Sequence, residues 1–237
     1  MVKIPNTPIC EELADCRRCD MRDIALFSDL GEDDFALINH PIPQREFDVG
    51  SAIYISGEVG NKIFTIRKGV IKLVHHKTNG SQRIVRLLRQ GSVAGLEALI
   101  GSPYEHTAVA MEPASVCEIS AEDVNRLDRE TPNLHQQLME RWHTTVQDAD
   151  RWITAMSTGN AKIRMAHLFL YLVAEARNDC RLFSREEVGA ILGLTPETAS
   201  HTISDFKRTG VVTQTSQNRF DCDVMALRLI TESMTSD

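Results

Sequence analysis

The spacing of hydrophobic residues changes twice along this chain, and each change predicts a different kind of structure. Between residues 51 and 120, short apolar and β-branched runs are separated by recurring glycines. Thr78-Asn79-Gly80 adds a strong hairpin signal between two of these runs. We therefore predict a compact antiparallel β-roll over residues 26–120. Its strands are expected in the runs SAIYIS, KIFTIR, VIKLVHH and RIVRLL.

A second pattern starts at Pro132 and runs to Ser157 with no further proline and no glycine. Its apolar residues recur at alternating steps of three and four, which is the spacing of a coiled-coil seam. The seam comprises Met139, Trp142, Val146, Ala149, Ile153 and Met156. We predict a long helix within residues 121–157 that pairs two copies of the chain, with packing on its own roll as the alternative. Asp148 and Asp150 flank the middle of the seam, and because like charges near a two-fold axis weaken pairing, we expect a conditional dimer.

The third pattern, from Ser184 to Val212, predicts two short helices joined by a tight turn. Ser184 and Glu187 form a capping-box pair at the start of the first helix. Gly193 suits the left-handed residue that ends a helix. The apolar face of this first helix is expected to consist of Val188, Ile191 and Leu192.

The second helix of the pair is predicted to begin with Thr195 as N-cap and Pro196 at the first helical position. Its inward stripe is Ala199, Ile203 and Phe206, and its outward side carries Glu197, Thr198, Ser200, His201 and Ser204. Gly210 is expected to close the helix, and Val211–Phe220 to form a β-wing around Gln217-Asn218. We predict a winged helix-turn-helix within residues 158–237, which places its second helix in the DNA major groove. An ordinary αα-hairpin is the alternative.

Charge gives this prediction little further support. The chain has 237 residues and a net charge of −7, with the composition of a soluble globular protein. Five basic and four acidic residues lie from Arg181 to Arg219, a local balance of +1. We therefore expect modest non-specific affinity for DNA and reliance on positioned contacts.

The sequence also excludes several classes of protein. No apolar run approaches the roughly 18 residues that span a bilayer, and the N-terminus shows no secretory signal. We therefore expect no membrane association and a cytoplasmic protein with reduced thiols. No phosphate-binding glycine loop, nucleophile–base pattern or zinc-hydrolase motif is present, so no enzymatic activity is predicted.

Six cysteines supply the candidate chemistry, and three of them lie within residues 1–25 as Cys10-x5-Cys16-x2-Cys19. In a reduced compartment this cluster indicates a metal or redox site rather than disulfides. Zinc and iron–sulfur clusters both use four thiolates, so the folded body must supply a fourth ligand. Cys117, in the apolar segment Ser115–Ile119, is the best candidate. Cys180 and Cys222 are interpreted as buried apolar residues.

Three segments resemble the CRP/FNR family of bacterial transcription factors, and most closely its oxygen-sensing FNR branch. They are ASVCEI at 114–119, TPNLHQQLM at 131–139 and VGAILGLTPET at 188–198. The resemblance covers nearly the whole chain and implies an α+β fold. That fold comprises an N-terminal antiparallel β-roll, a jelly roll like those that bind cyclic nucleotides, then a long dimerisation helix and a C-terminal winged helix-turn-helix.

The resemblance also implies a set of functional residues. Cys10, Cys16, Cys19 and Cys117 would hold a 4Fe–4S cluster, which favours the dimer and which oxygen dismantles. The dimer would bind pseudo-palindromic double-stranded DNA and act with RNA polymerase. DNA contacts are expected from Thr195, Glu197, Thr198, Ser200 and His201.

The chain departs from the family pattern at two places. The five-residue gap between cysteines precedes the two-residue gap, whereas the usual order is the reverse. His201 stands where the family usually has an arginine that contacts guanine, and histidine lacks the two-pronged hydrogen bonding of that arginine. We therefore expect an altered DNA site.

Other sensory inputs remain open alternatives. Cyclic AMP is disfavoured, because His106-Thr107 replaces the Arg-Ser pair that would bind the cyclic phosphate. Haem that binds NO or CO is a second alternative, since His75-His76 lie near a strand end and His106 is expected nearby. A zinc or thiol redox regulator is the third.

Overall fold

The computed structural model describes residues 11–14, 42–76, 80–173 and 178–232. These residues form two compact units. The first contains the described residues up to His76 together with Val85–Val146. The second contains residues 80–84 and the described residues from Gln147 onwards.

Two antiparallel sheets make up most of the first unit, as the glycine-punctuated runs predicted. One sheet has the strand order β1-β2-β9-β4-β7 and the other β3-β8-β5-β6. The strands are β1 Glu11–Ala14, β2 Ile42–Phe47, β3 Ala52–Tyr54, β4 Lys62–Lys68, β5 Ile71–His76, β6 Gln82–Leu88, β7 Val93–Ala94, β8 Thr107–Ala110 and β9 Ala114–Ser120. A 3-10 helix, Leu96–Ile100, lies between β7 and β8. Strands β2 and β8 were not predicted: β2 has proline and polar residues between its apolar ends, and β8 is only four residues long.

Two helices follow the roll, and the second of them continues from this unit into the other at Gln147. Helix α1, Ala121–Glu130, follows β9 directly, and helix α2 runs from Pro132 to Ser157. The first turns of α2 pack on the roll, because Leu134 and Leu138 belong to the same buried core cluster as the strands. The predicted long helix over Pro132–Ser157 is therefore confirmed, and the preceding segment is a separate short helix.

Beyond the last part of α2, the described residues of the second unit form a three-stranded sheet and four helices. In chain order these are α3 Ala161–Leu172, β10 Asp179–Arg181, α4 Arg185–Leu192, α5 Pro196–Arg208, β11 Val212–Ser216, β12 Arg219–Cys222 and α6 Val224–Glu232. The strand order is β10-β12-β11. Phe169 lies at the centre of the core, with ring centroids 6.1 Å from Phe206 of α5 and 5.6 Å from Phe220 of β12.

The predicted fold class is confirmed. Helix α3 ends at Leu172, where Val173 takes an extended conformation. The predicted turn at Thr78-Asn79-Gly80 lies largely outside the described residues. No helix in the part of the chain that the structure describes is long and apolar enough to cross a membrane.

Candidate functional site

The turn between α4 and α5 has the local geometry that its sequence predicts. Ser184 and Glu187 make both hydrogen bonds of a capping box at the start of α4. Gly193 ends α4 with a left-handed φ of 64°. Thr195 caps α5 by accepting a hydrogen bond from the Thr198 backbone N–H at 3.2 Å. These caps satisfy backbone groups at the helix ends, and Arg164 of α3 also donates a hydrogen bond to the Leu192 carbonyl oxygen at the end of α4.

Helix α5 separates an apolar inner face from a polar outer face. The inner face comprises Ala199, Thr202, Ile203 and Phe206, all buried. The predicted DNA-contact residues all lie on the exposed side: Thr195, Glu197, Thr198, Ser200 and His201. Their side chains offer hydroxyl, carboxylate and imidazole groups, which suit hydrogen bonding to base edges and phosphates.

Charged groups stabilise both ends of α5. Its own backbone N–H and the Thr195 hydroxyl lower the pKa of Glu197 at the N-terminus, so this carboxylate stays ionised. Near the C-terminus, Asp205 lies 3.2 Å from both Lys162 Nζ and Arg208 Nη2, and these hydrogen bonds lower the pKa of Asp205. Lys207 donates to the Gln214 side chain of β11 at 3.2 Å. This last contact, which the sequence did not indicate, ties the helix to the wing.

The wing consists of β11 and β12, with Asn218 at a left-handed φ of 57° in the turn between them. Asparagine tolerates this conformation, as the predicted Gln217-Asn218 turn requires. Residues 213–216 of β11 are exposed, as is Arg219 of β12. The wing therefore presents polar side chains and one guanidinium to solvent.

The predicted seam on α2 is only partly exposed in the single chain. Met139, Val146 and Ile153 are 51%, 53% and 58% exposed, and they are spaced seven residues apart. Trp142 and Ala149 are half-buried. Met156, the last predicted member, is only 2% exposed and lies in the core of its own chain.

Cys117 is the one predicted metal ligand that falls within the described residues. It is buried in β9, opposite Gln44 of β2 and Thr65 of β4. Arg67 Nη1 lies 3.8 Å from its Sγ. Cys10, Cys16 and Cys19 lie outside the described residues, and within these no cluster of three or more His, Cys, Asp or Glu side chains is arranged to hold a metal.

An ionic cluster beside Cys117 was not predicted from the sequence. Glu118 is 8% exposed and pairs with Arg45 of β2 at 2.7 Å and with Lys62 of β4. A buried carboxylate requires such partners. The sequence of the apolar segment Ser115–Ile119 did not indicate this cluster. Glu118 is the only charged residue in that segment, and its partners lie on strands that are distant in sequence.

The histidines considered for haem form a loose pair in the first unit. The His75 and His106 rings are 6.5 Å apart between centroids, and His75 and His76 are exposed. Burial lowers the pKa of His106, so its imidazole is neutral at pH 7. The adjacent Thr107 is buried and accepts a hydrogen bond from the Ser56 backbone N–H at 3.1 Å.

Two family models match this chain, one in each unit. The cyclic nucleotide-binding domain model matches residues 44–130, and the Crp-like helix-turn-helix domain model matches residues 163–229. The second match contains α4, the turn and α5. The helix-turn-helix assignment is therefore confirmed over the αα-hairpin alternative.

Proteins similar over most of the chain are transcription regulators rather than enzymes. The transcriptional activator protein Anr of Pseudomonas aeruginosa is 27% identical over 207 residues, which cover 84% of this chain and 85% of that protein. The fumarate and nitrate reduction regulatory protein of Vibrio cholerae is 27% identical over 207 residues, covering 83% and 82%. The structure of FixK2 from Bradyrhizobium japonicum shares the fold, with a TM-score of 0.72, 20% identity and coverage of 79% of this chain and 96% of that one. The chain therefore belongs to the CRP/FNR family of DNA-binding transcription regulators.

Proposed function

We propose that this chain is a cytoplasmic, homodimeric regulator whose DNA binding depends on oxygen or redox state through an N-terminal iron–sulfur cluster. The proposed ligands are Cys10, Cys16, Cys19 and Cys117. A 4Fe–4S cluster is the expected type, and when bound it supplies a sensitivity to oxygen that the thiols alone do not provide.

The position of β1 is the observation that carries this proposal. Strand β1 separates Cys10 from Cys16 in the sequence and pairs with β2, with Glu12 opposite Gln44. Gln44 is in turn opposite Cys117 on β9. Because neighbouring strands are about 4.8 Å apart, Glu12 and Cys117 are separated by about 10 Å across the sheet. Residues 11–14, which lie between Cys10 and Cys16 in the sequence, therefore belong to the same sheet as Cys117, the proposed fourth ligand.

The surroundings of Cys117 suit a thiolate ligand. The thiol is buried, and the Arg67 guanidinium lies 3.8 Å from its Sγ. A cation at this distance offsets the negative charge that a ligating sulfur carries. Arg17 and Arg18, between two of the N-terminal cysteines in sequence, would offset charge in the same way.

The chain connects this site to the proposed dimer interface over a short distance. Cys117 lies three residues before the end of β9, α1 begins at the next residue, and α2 follows α1 after Thr131. We propose that ligation of Cys117 fixes β9 and α1 and thereby biases the packing of α2. A ligand that prefers the dimer-competent state shifts the population toward it.

On the DNA side, we propose that Glu197, Ser200 and His201 contact base edges, with Thr195 and Thr198 at phosphates or bases. All five are exposed around the first two turns of α5. In a two-fold dimer, two such helices contact half-sites about one DNA turn apart, which requires a pseudo-palindromic site. RNA polymerase is the expected partner on the promoter.

Cyclic AMP is not the proposed ligand, because the Thr107 hydroxyl accepts a hydrogen bond from the Ser56 backbone N–H and no arginine precedes Thr107.

Anaerobic purification of the full chain tests the proposal. We expect about four iron and four acid-labile sulfide per chain, with a brown colour that air removes. The variant C117S should lose iron, whereas C222S, which removes another buried cysteine, should retain it. A chain with no iron or sulfide under strict anoxia contradicts the proposal, and zinc in their place would indicate a structural clip.

The haem alternative is supported by the proximity of His75 and His106, 6.5 Å between ring centroids. It makes the opposite prediction for the N-terminal cysteines. If haem is the sensor, the full chain shows a Soret band after expression with a haem precursor, and C16S retains the response to gas. If the cluster is the sensor, C16S loses the response.

A further inference from the structure

Two cysteines of the second unit lie in direct contact, although neither belongs to the proposed cluster. Cys180 of β10 and Cys222 of β12 have their Sγ atoms 3.8 Å apart and are 4% and 6% exposed. Cys180 is opposite Phe220, and Cys222 is two residues further along the same strand. Because side chains two residues apart point to the same face of a sheet, the strand register itself brings both thiols to the buried face.

The two thiols share a hydrogen bond, and this makes them unequal. The bond from Cys180 lowers the pKa of Cys222, against the opposing effects of burial and of the nearby Asp221 and Asp179 carboxylates. The same bond, with burial, raises the pKa of Cys180. Cys222 is therefore the sulfur that ionises first, and the Cys180 thiol donates a hydrogen bond to the resulting thiolate.

We propose that Cys180 and Cys222 form a dithiol site that a hydroperoxide converts into a disulfide, and that this cross-link weakens DNA binding. The Cys222 thiolate attacks one peroxide oxygen, the O–O bond breaks, and hydroxide leaves to become water. The Cys180 sulfur then attacks the Cys222 sulfenic acid, the S–O bond breaks, and a second water forms. Two thiols and one hydrogen peroxide thus give one disulfide and two waters, and the two sulfurs supply the two electrons.

The fold allows a small oxidant to reach this pair. Strand β10 has three residues and lies at the edge of its sheet. Short edge strands open locally at low free-energy cost, which admits hydrogen peroxide more readily than a bulky disulfide reagent. No third metal-ligating side chain joins the two thiols among the described residues, which favours disulfide formation over a multidentate metal site.

The cross-link is placed where it affects the DNA-binding helix. It joins residues 180 and 222, and the chain between them contains α4, α5 and β11. Closing the sulfurs from 3.8 Å to about 2.05 Å moves β10 against β12 at Phe220. Phe220 packs on Phe169, which packs on Phe206 of α5. We therefore expect the disulfide to shift the inner face of α5 and reduce DNA affinity at least about fivefold, or about 1 kcal/mol by the tenfold-per-1.4 kcal/mol relation.

Peptide mapping of the full chain after peroxide treatment tests the chemistry. Free thiols are alkylated, the protein is digested with trypsin, and the product is examined by mass spectrometry. We expect the peptide 178–181 joined to the peptide 220–228, two hydrogens lighter than the reduced pair. Separate peptides that each gain oxygen, or a cross-link from either cysteine to Cys117, would overturn the proposal.

DNA affinity is measured in parallel on a duplex that the reduced protein selects from a random pool. Because peroxide also damages an iron–sulfur cluster, C222S is the matched control, since it retains the N-terminal cysteines and lacks the pair. We expect peroxide to lower the DNA affinity of wild type more than that of C222S. Dithiothreitol should reverse this additional loss, because it reduces a disulfide but does not rebuild a cluster. A cross-linked protein with unchanged affinity would also overturn the proposal. The linked peptide is detected independently of iron and sulfide content. The cluster proposal can therefore fail while the dithiol proposal is supported.

Discussion

Helices α2 and α5 are both amphipathic, but they leave opposite kinds of surface exposed. Helix α5 buries Ala199, Ile203 and Phe206 and exposes hydroxyl, carboxylate and imidazole groups. Helix α2 begins by burying Leu134 and Leu138 and then exposes Met139, Val146 and Ile153 at seven-residue spacing. The two outward faces therefore require different partners.

The difference is consistent with the proposal that α2 pairs two chains and α5 contacts DNA. Polar groups on α5 are well hydrated in water and match the donors and acceptors of the DNA major groove. Large apolar side chains aligned on α2 gain roughly 25 cal/mol for each Å² removed from water, so a second copy of the helix is a favourable cover. In the proposed dimer, pairing through α2 would bring two α5 helices to one duplex.

The largest expected effect comes from placing a charge in the α2 stripe. In Val146→Glu, each chain would bury an unpaired carboxylate at the interface, which costs at least about 3 kcal/mol. We expect the dimer dissociation constant to rise more than about 100-fold, measured by light scattering, with DNA affinity falling in step. Gln147→Glu adds the same charge at an exposed neighbouring position and should leave the dimer intact. An unchanged dimer in Val146→Glu would show that another surface pairs the chains.

The next effect concerns the first turn of α5. Glu197→Ala should abolish sequence preference while retaining weak, salt-sensitive binding, because phosphate contacts remain. We expect the ratio of specific to non-specific affinity to fall at least about tenfold, since each base contact supplies about 1–3 kcal/mol of discrimination. Glu186→Ala removes an equally exposed carboxylate from α4 and should leave that ratio unchanged. Equal discrimination by Glu197→Ala and wild type would mean that α5 docks differently.

A smaller and opposite effect is expected at His201. His201→Arg introduces a guanidinium able to form two hydrogen bonds with guanine. We expect the preference for guanine at the contacted position to rise about five- to tenfold in a binding-site selection. His201→Gln, of similar size and without charge, serves as the control. If both variants select the same sites as wild type, residue 201 does not contact a base.

The smallest effect concerns the anchoring of α5 by Asp205. Lys162 and Arg208 lower the pKa of Asp205 in the folded state. The ion pairs of Asp205 therefore stabilise the fold fully above the unfolded-state pKa of about 3.9. This stabilisation is lost as the pH falls through the lower folded-state pKa. Asp205→Asn should lower the urea midpoint slightly at pH 7, with no difference from wild type near about pH 2. Asp221→Asn is the matched charge control on β12. A constant difference across this pH range would show that Asp205 acts by packing.

Much of the second unit was predictable from the sequence because its signals are local. The capping box at Ser184, the left-handed Gly193 and the N-cap Thr195 each depend on residues within one helical turn. The outward residues of α5 followed from the same helical period. The contact of Lys207 with Gln214 was missed, because it depends on how the wing folds back on the helix.

The first unit was less predictable because its important contacts are distant in sequence. Strand β2 pairs with both β1 and β9, and the buried Glu118 finds its cations on β2 and β4. The seven-residue repeat of α2 predicted the exposed stripe at Met139, Val146 and Ile153 but also included Met156, which its own chain buries. Periodicity identifies one face of a helix, whereas burial also depends on what folds against each turn.

The stoichiometry of the protein on DNA tests the comparison between α2 and α5 most directly. The full chain, purified under anoxia, is mixed with a duplex selected from a random pool, and the mass of the complex is measured by light scattering. We predict two chains on one duplex that contains a pseudo-palindrome, with half-sites about one DNA turn apart. One chain per duplex at the same affinity, or two chains that do not require both half-sites, would contradict pairing through α2.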